Sequence, residues 1–255
     1  VILDAIVAEK RREHALRDPV RLDDLWAAVE AMPPARPFAD AIRARPGLRA
    51  IAEFKRRSPS AGAIRPEGDP AAVAAGYERA GAAAISVLTD ARFFDGSMAD
   101  LRAVRLAVDL PLLRKDFLFD ERDLLQARLA GADAALLIVR ILEPATLTAL
   151  VAAAARAGLA ALVEAHAEGE IEAALAAGAA IIGVNHRDLD TLAIDLSLSA
   201  RARALAPNAV LVAESGIKSR ADVAQMRAAG VDAILVGESL LRAPDPGGAL
   251  AELLA

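Results

Sequence analysis

Eight short apolar runs recur along this chain after residue 49, each followed by an Ala/Leu/Arg-rich stretch long enough for a helix. The runs are 50–54, 83–88, 110–113, 134–139, 160–163, 180–184, 210–213 and 232–236. Their starts lie 20 to 33 residues apart, which leaves room for a strand, a crossover helix and two loops. The runs are nearly continuous in hydrophobicity, as parallel strands covered on both faces are. Ala-Gly precedes strand after strand, at Ala80-Gly81, Ala130-Gly131, Ala157-Gly158, Ala177-Gly178 and Ala229-Gly230. A glycine just past a helix takes the left-handed cap that other residues adopt only with strain. Eight βα units in this order predict an α/β chain folded as a (β/α)8 TIM barrel. A doubly wound open sheet is the competing arrangement. Neither GxGxxG nor GxxxxGK occurs, which removes its common nucleotide-binding forms.

Residues 1–49 stand outside the repeat. Ile2, Leu3, Ile6 and Val7 recur at helical spacing. Residues 22–32 predict a second helix with Asp23 and Asp24 in its first turn, where carboxylates suit the dipole. Pro33-Pro34 stops it, and 38–45 can form a third. The expected organisation is a helical extension, 1–49, packing on a barrel, 50–255, as a single structural domain. Whether the extension caps one barrel end or forms a lid over a site is open at this level.

Composition narrows the function classes. The chain has no cysteine, so disulfide frameworks and thiolate metal sites are excluded. His14, His166 and His186 are far apart without ligand spacing, so no metal site is expected. A net charge of −5 argues against wrapping nucleic acid. No apolar run reaches the ~18 residues that span a bilayer, and the charged N-terminus does not read as a secretory signal. A cytoplasmic, stand-alone protein is expected, with neither nucleic acid nor membrane as partner.

Chemistry gathers where each run ends, the face on which such barrels build their sites. Glu53 and Lys55 are two residues apart and so share a strand face. Glu53 sits in an apolar run, where a charge is costly unless paired, and Lys55 is the obvious partner. Later runs end in Thr89-Asp90, Arg114-Lys115-Asp116-Phe117, Arg140, Glu164, Asn185-His186-Arg187-Asp188, Glu214-Ser215-Gly216 and Gly237-Glu238-Ser239. The opposite ends carry mainly Ala, Gly, Asp and Pro. Gly216 and Gly237 follow the last two strands, the usual barrel phosphate position. Ser58 can add a hydroxyl donor.

These residues also carry a resemblance. Ile51-Ala52-Glu53-Phe54-Lys55-Arg56-Arg57-Ser58-Pro59-Ser60 resembles the signature of the indole-3-glycerol phosphate synthase family. The likeness continues through Ser86-Val87-Leu88-Thr89-Asp90, Phe93-Phe94-Asp95-Gly96-Ser97, Leu113-Arg114-Lys115-Asp116-Phe117 and Leu162-Val163-Glu164. It runs on through Gly183-Val184-Asn185-His186-Arg187-Asp188-Leu189, Ala213-Glu214-Ser215-Gly216-Ile217 and Val236-Gly237-Glu238-Ser239-Leu240. It spans essentially the whole chain, in order. His186 departs from the small or polar residue usual there and could alter the field around Asn185.

The resemblance implies a carboxy-lyase of tryptophan biosynthesis. Such an enzyme converts 1-(2-carboxyphenylamino)-1-deoxyribulose 5-phosphate to indole-3-glycerol phosphate, with loss of CO2 and water. Ring closure needs an acid for the ketone oxygen, and aromaticity needs a base. Lys115 is expected as the acid, and Glu164 as base or charge stabiliser. Lys55 is expected to hold the carboxylate and to serve in dehydration, although which lysine acts in each step is open. Glu53 orients Lys55, and Asn185 and Glu214 hold substrate or the neighbouring acids. Arg187 supports Asn185 or an anionic group, and Ser215 meets substrate hydroxyls. Phosphate falls to Ser58 with the amides of Gly216, Gly237 and Glu238, the Glu238 side chain turning away. Pro59, Phe94, Phe117 and Leu192 are expected around the anthranilate ring. No cofactor is expected, and a monomer is favoured with an oligomer open. Alternative readings are a Schiff-base aldolase-type barrel on a sugar phosphate, a phosphoribosyl isomerase and a non-catalytic scaffold.

Overall fold

A computed structural model describes residues 2–188 and 191–255. Three helices come first, α1 (Ile2–Ala15), α2 (Leu22–Glu30) and α3 (Phe38–Arg43). The barrel strands are β1 (Arg49–Phe54), β2 (Ala84–Leu88), β3 (Leu112–Lys115), β4 (Ala134–Ile138), β5 (Ala160–Ala165), β6 (Ile181–Asn185), β7 (Val210–Glu214) and β8 (Ala233–Val236). Each pairs in parallel with the next, and β8 closes on β1 through Arg49–Ala233 to Ala52–Val236. Residues 57–58 and 62–63 form a small hairpin in the first βα loop.

The outer helices are α4 (Pro70–Arg79), the short α5 (Ala91–Phe94), α6 (Met98–Ala107), α7 (Glu121–Leu129), α8 (Pro144–Arg156), α9 (Glu168–Ala176), α10 (Leu198–Leu205), α11 (Arg220–Ala228), the short α12 (Glu238–Leu241) and α13 (Pro246–Leu254). Local chemistry starts them. Asp69 caps α4 by accepting from the Ala71 amide, with proline at the first helical position. Asp120 with Asp123, and Ser219 with Asp222, form reciprocal capping boxes on α7 and α11. All five Ala-Gly glycines that follow helices lie at φ between 74° and 95°, the left-handed cap that their spacing predicts.

Alternation along the strands sorts the barrel into two cores. Ile51, Ala84, Leu113, Ala134, Leu162, Ile181, Val212 and Leu235 fill the interior. Ala52, Phe54, Val87, Leu112, Val163, Ile182 and Leu211 face the helices instead. The N-terminal segment meets both ends and one flank. Phe38 and Ile42 of α3 enter the interior cluster beside Ile51 and Val210, at the start of the strands. α2 packs on α7, and its Trp26 lies 3.8 Å under the guanidinium of Arg156 at the end of α8. α1 lies across the opposite end.

β3 begins two residues later than its apolar run predicts. Pro111 has no N–H to give the ladder, and its carbonyl instead accepts from Ile85. At the other end the charged Arg114 and Lys115 continue the strand, paired to Val87 and Leu88. Glu164, Asn185 and Glu214 likewise belong to their strands.

Candidate active site

Five polar side chains form the interior layer above the apolar plug. Glu53 continues the inward register of Ile51, Lys115 that of Leu113, and Glu164 that of Leu162. Glu214 continues Val212 in the same way, and Asn185 follows Gly183. Glu53, Glu164, Asn185 and Glu214 are all buried. Lys55 Nζ donates to Glu53 Oε1 at 2.7 Å. Lys115 Nζ lies 3.1 Å from Glu164 Oε2 and 3.4 Å from Glu214 Oε2. Asn185 Nδ2 donates to Glu164 Oε1 at 3.2 Å, while its Oδ1 accepts the Arg187 amide at 3.1 Å. That second bond fixes which way the amide faces.

Two glycines make room for this layer. A Cβ at Gly183 would lie 2.3 Å from Glu214 Oε1, and one at Gly237 would lie 2.8 Å from Glu53 Cβ. Either contact is closer than real Cβ atoms tolerate.

The charges are unequal in kind. Burial works against the Lys115 ammonium, but the carboxylates of Glu164, Glu214 and Glu53 outweigh it and hold the group above its ordinary range. Burial also disfavours the Glu164 carboxylate, yet Lys115, His166 and Asn185 hold it well below its usual value. Glu214 goes the other way. Desolvation pushes it up to about 8, Lys115 opposes this, and the neighbouring Glu164 and Glu53 add to it. At neutral pH the layer therefore holds an ionised Glu164 and a protonated Glu214 around one ammonium.

All sixteen residues expected at the site line one of two adjoining cavities. Glu53, Lys55, Lys115, Arg187 and Glu238 border both. The first cavity adds Ser58, Pro59, Phe94, Phe117, Glu164, Asn185 and Leu192, with apolar walls from Leu136 and Ile138 and a cover of Ile2, Leu3 and Ile6 from α1. The rings of Phe94 and Phe117 stand 6.2 Å apart. The second cavity holds Glu214, Ser215, Gly216 and Gly237, with Lys218, Ser239 and Arg242. Ser58 borders the first cavity rather than the second, and its Oγ accepts the Ala61 amide at 3.1 Å within its own turn. Glu238 pairs with Arg242 at 3.2 Å. Only two of the five phenylalanines near the early strand ends reach a cavity. Phe54 is buried under the Arg56 guanidinium, Phe93 lies beside Arg92, and Phe119 beside His14 and Arg11.

His186 turns from the site. The Ser215 carbonyl can only accept, so Nδ1–H donates to it at 3.0 Å and Nε2 accepts from Ser199 Oγ at 2.7 Å. Burial lowers its pKa, consistent with a neutral ring. It puts no charge beside Asn185 and instead braces Ser215, which sits at φ 65°, a left-handed conformation unusual outside glycine. Leu189, the last residue of that sequence motif, lies outside the described residues.

Sequence reasoning missed His166, Lys10, Lys218 and Arg242. His166 is legible in retrospect, because it follows Glu164 by two and continues the same face. Its Nε2 stands 3.2 Å from Glu164 Oε1. Lys10 on α1 reaches Asp90 at 2.9 Å and Asp116 at 3.1 Å, both buried. Nothing local marks contacts between residues 80 and 106 positions apart. The fold also gathers His14, Asp120 and Asp123, whose ligand-type atoms lie within 4.8 Å of one another. Spacing did not show this group, and Arg17 already pairs with Asp123 at 2.6 Å.

Fold and site together define a (β/α)8 barrel with a layer of paired lysines and glutamates beneath a cavity half apolar and half basic. The sequence matches the indole-3-glycerol phosphate synthase family over residues 3–253, and the chain belongs to that family. It is 51% identical over 251 residues to indole-3-glycerol phosphate synthase 2 of Streptomyces coelicolor, covering 96% of each chain. Its identity to the indole-3-glycerol phosphate synthase of Rhodopirellula baltica is 47%, over 100% of this chain and 99% of that one. A crystal structure of 3-hexulose-6-phosphate synthase superposes with a TM-score of 0.65 at 17% identity, covering 81% of this chain and 98% of that one. This last likeness concerns the fold alone. No helix among the described residues is long and apolar enough to cross a membrane.

Proposed function

We propose that this chain closes the indole ring of indole-3-glycerol phosphate from 1-(2-carboxyphenylamino)-1-deoxyribulose 5-phosphate, and that the layer above performs the acid–base steps. The observation that carries the reading is Lys115 held between Glu164 and Glu214, at the junction of an apolar and a basic cavity. The substrate has the matching shape, an aromatic acid at one end and a phosphate at the other.

The anthranilate ring enters the apolar cavity between Phe94, Phe117, Pro59 and Leu192, with Ile2, Leu3 and Ile6 closing over it. Phosphate lies among Ser215, Gly216, Gly237 and the Glu238 amide, where Lys218 and Arg242 add charge. Lys55, steered by Glu53, meets the ring carboxylate, and Arg187 sits between the two anionic ends. The ring carbon that bears the carboxylate then attacks the ketone. Lys115 gives its proton to the oxygen as the C–C bond forms. CO2 leaves with cleavage of the bond to the ring, and its electron pair restores the benzene ring. Loss of the new hydroxyl as water, with one proton taken from the neighbouring carbon, completes the pyrrole. Glu164 is the carboxylate within reach to take that proton, and Lys55 serves as acid for the departing oxygen.

Lys115 held above its ordinary range is a reluctant acid before substrate binds. Its proton becomes easier to release when the carboxylates around it lose charge, and the protonated Glu214 already lowers that charge. The same hold speaks against a Schiff-base aldolase, whose lysine must be neutral to attack. Incubation with the carboxyphenylamino substrate tests the reading. Indole fluorescence and CO2 are expected in equal amounts, with no adduct trapped by borohydride. A borohydride-trapped adduct without indole contradicts it. We further place the chain in the cytoplasm, acting as a monomer.

A further inference from the structure

Behind Glu164 lies a row of charged groups that the reaction does not use. His166 Nε2 stands 3.2 Å from Glu164 Oε1, the oxygen that Asn185 also meets. That nitrogen is buried and makes no aligned hydrogen bond, so the contact is one of charge. On its other side, His166 Nδ1 is 3.3 Å from Glu170 Oε2, which also accepts the His166 backbone amide at 2.8 Å. Glu170 Oε1 in turn accepts from Arg140 Nε at 2.9 Å. The His166 side chain is fully enclosed. The row therefore runs from Arg140, just past β4, through Glu170 at the start of α9, to His166, Glu164 and Lys115.

A buried imidazole between two carboxylates has a physical consequence. Glu170, anchored by Arg140 and by the His166 amide, fixes the ring plane and favours its cationic form. That cation then faces the oxygen of Glu164 that Lys115 does not touch. Glu164 is thereby clamped at both oxygens, Oε2 by Lys115 and Oε1 by His166 and Asn185. A carboxylate so held cannot rotate, and it stays ionised despite its burial.

We propose that His166 is a positioning residue for the catalytic base, keeping Glu164 ionised and oriented from behind, with Glu170 and Arg140 as its supports. The inference rests on the reading of Glu164 as base. The charged and titratable groups near this row are Lys115 from β3, Arg140 after β4, Glu170 from α9 and Glu214 from β7, beside the neutral amide of Asn185 from β6. The desolvated ring is itself pushed up to about 9 by Glu164 and Glu170, in line with the geometry.

The test compares His166→Gln, His166→Ala and Glu170→Gln with the wild type in steady-state assays from pH 3.5 to 9, a range that reaches the acid limb set by Glu164. Loss of the cation should lower kcat by about 10- to 100-fold, with KM within about 3-fold. The acid limb of kcat should move to higher pH by ~1 unit, because Glu164 loses a positive neighbour. Glu170→Gln should move the limb in the same direction by less. A folded His166 variant with the wild-type kcat and acid limb overturns the proposal. Histidine 15N spectra of the wild-type protein give a readout free of turnover and of variant folding. Both ring nitrogens of His166 should be protonated at pH 7.5, and a neutral ring overturns the proposal. A wild-type protein that shows the protonated ring yet forms no indole product contradicts the assigned reaction instead.

Discussion

Glu214 Oε2 stands 3.4 Å from Lys115 Nζ, while Glu214 Oε1 accepts no hydrogen bond in its buried setting. One ammonium is thus shared by two glutamates, and they settle into different states. Glu164, with His166 and Asn185 at its back, keeps its charge. Glu214, without those partners, takes up a proton.

This split gives stability a pH dependence. Between the ordinary carboxyl value and about 8, folded Glu214 binds a proton that the unfolded chain has released, so stability falls as pH rises through that window. His166 adds to the fall. Its folded value is raised to about 9, so its contribution is fully present below about 6.5 and lost as pH passes 9. Thermal melts should therefore show a lower Tm at pH 9 than at pH 6. Glu214→Gln, which mimics the protonated acid, should flatten the fall and raise Tm at pH 8, by ~2–4 °C for each kcal/mol recovered. An unchanged Tm–pH curve in the variant would show that Glu214 is ionised in the folded protein.

Gly237 is required by Glu53. Its replacement by alanine puts a methyl 2.8 Å from Glu53 Cβ and 2.9 Å from Oε1. Glu53 must shift, and Lys55 with it. Gly237→Ala should lower kcat/KM by about 10- to 100-fold, the scale of a misplaced catalytic group, while the protein still folds. Wild-type kinetics in this variant would mean that the Glu53–Lys55 pair does not set the substrate's position.

Lys10 holds α1 over the apolar cavity. Its ammonium is kept above its ordinary range, the carboxylates of Asp116 and Asp90 outweighing its burial. Lys10→Met leaves those two buried carboxylates without their shared cation. The variant should lose about 3–5 kcal/mol of stability, and KM for the substrate should rise as α1 loosens. Urea titration and KM together check this. Unchanged values in both would detach α1 from the site.

Glu238 should matter little through its side chain. It pairs with Arg242 on a partly exposed helix start, where such pairs contribute ~0–1 kcal/mol. Glu238→Gln is expected to keep kcat/KM within about 3-fold. A loss beyond ~10-fold would assign the carboxylate a direct part in binding.

The barrel was legible because one period repeats eight times and its glycines sit where the chain must turn left-handed. The acidic members of the site were legible for a related reason. Glu53, Glu164 and Glu214 interrupt apolar runs, and a charge there needs a cause. Strand limits were less so, since Lys115 and Arg114 read as loop while their partners Leu88 and Val87 on the adjacent strand keep them in the ladder. The supports stayed hidden. Lys10 meets Asp90 and Asp116 only through folding, and His166 was masked by counting histidines for metal spacing instead of following the inward face of β5. His186 shows the reverse error. It stands beside a site residue in sequence, yet its ring points to Ser199 and the Ser215 carbonyl.

The central claim is that Lys115 and Glu164 act as acid and base on one substrate. Its most direct test is the turnover of 1-(2-carboxyphenylamino)-1-deoxyribulose 5-phosphate, followed by indole fluorescence, in the wild type, Lys115→Ala and Glu164→Gln. The wild type should form indole-3-glycerol phosphate, and each variant should lose at least ~10²-fold in kcat. Near-wild-type turnover in either folded variant would contradict the account.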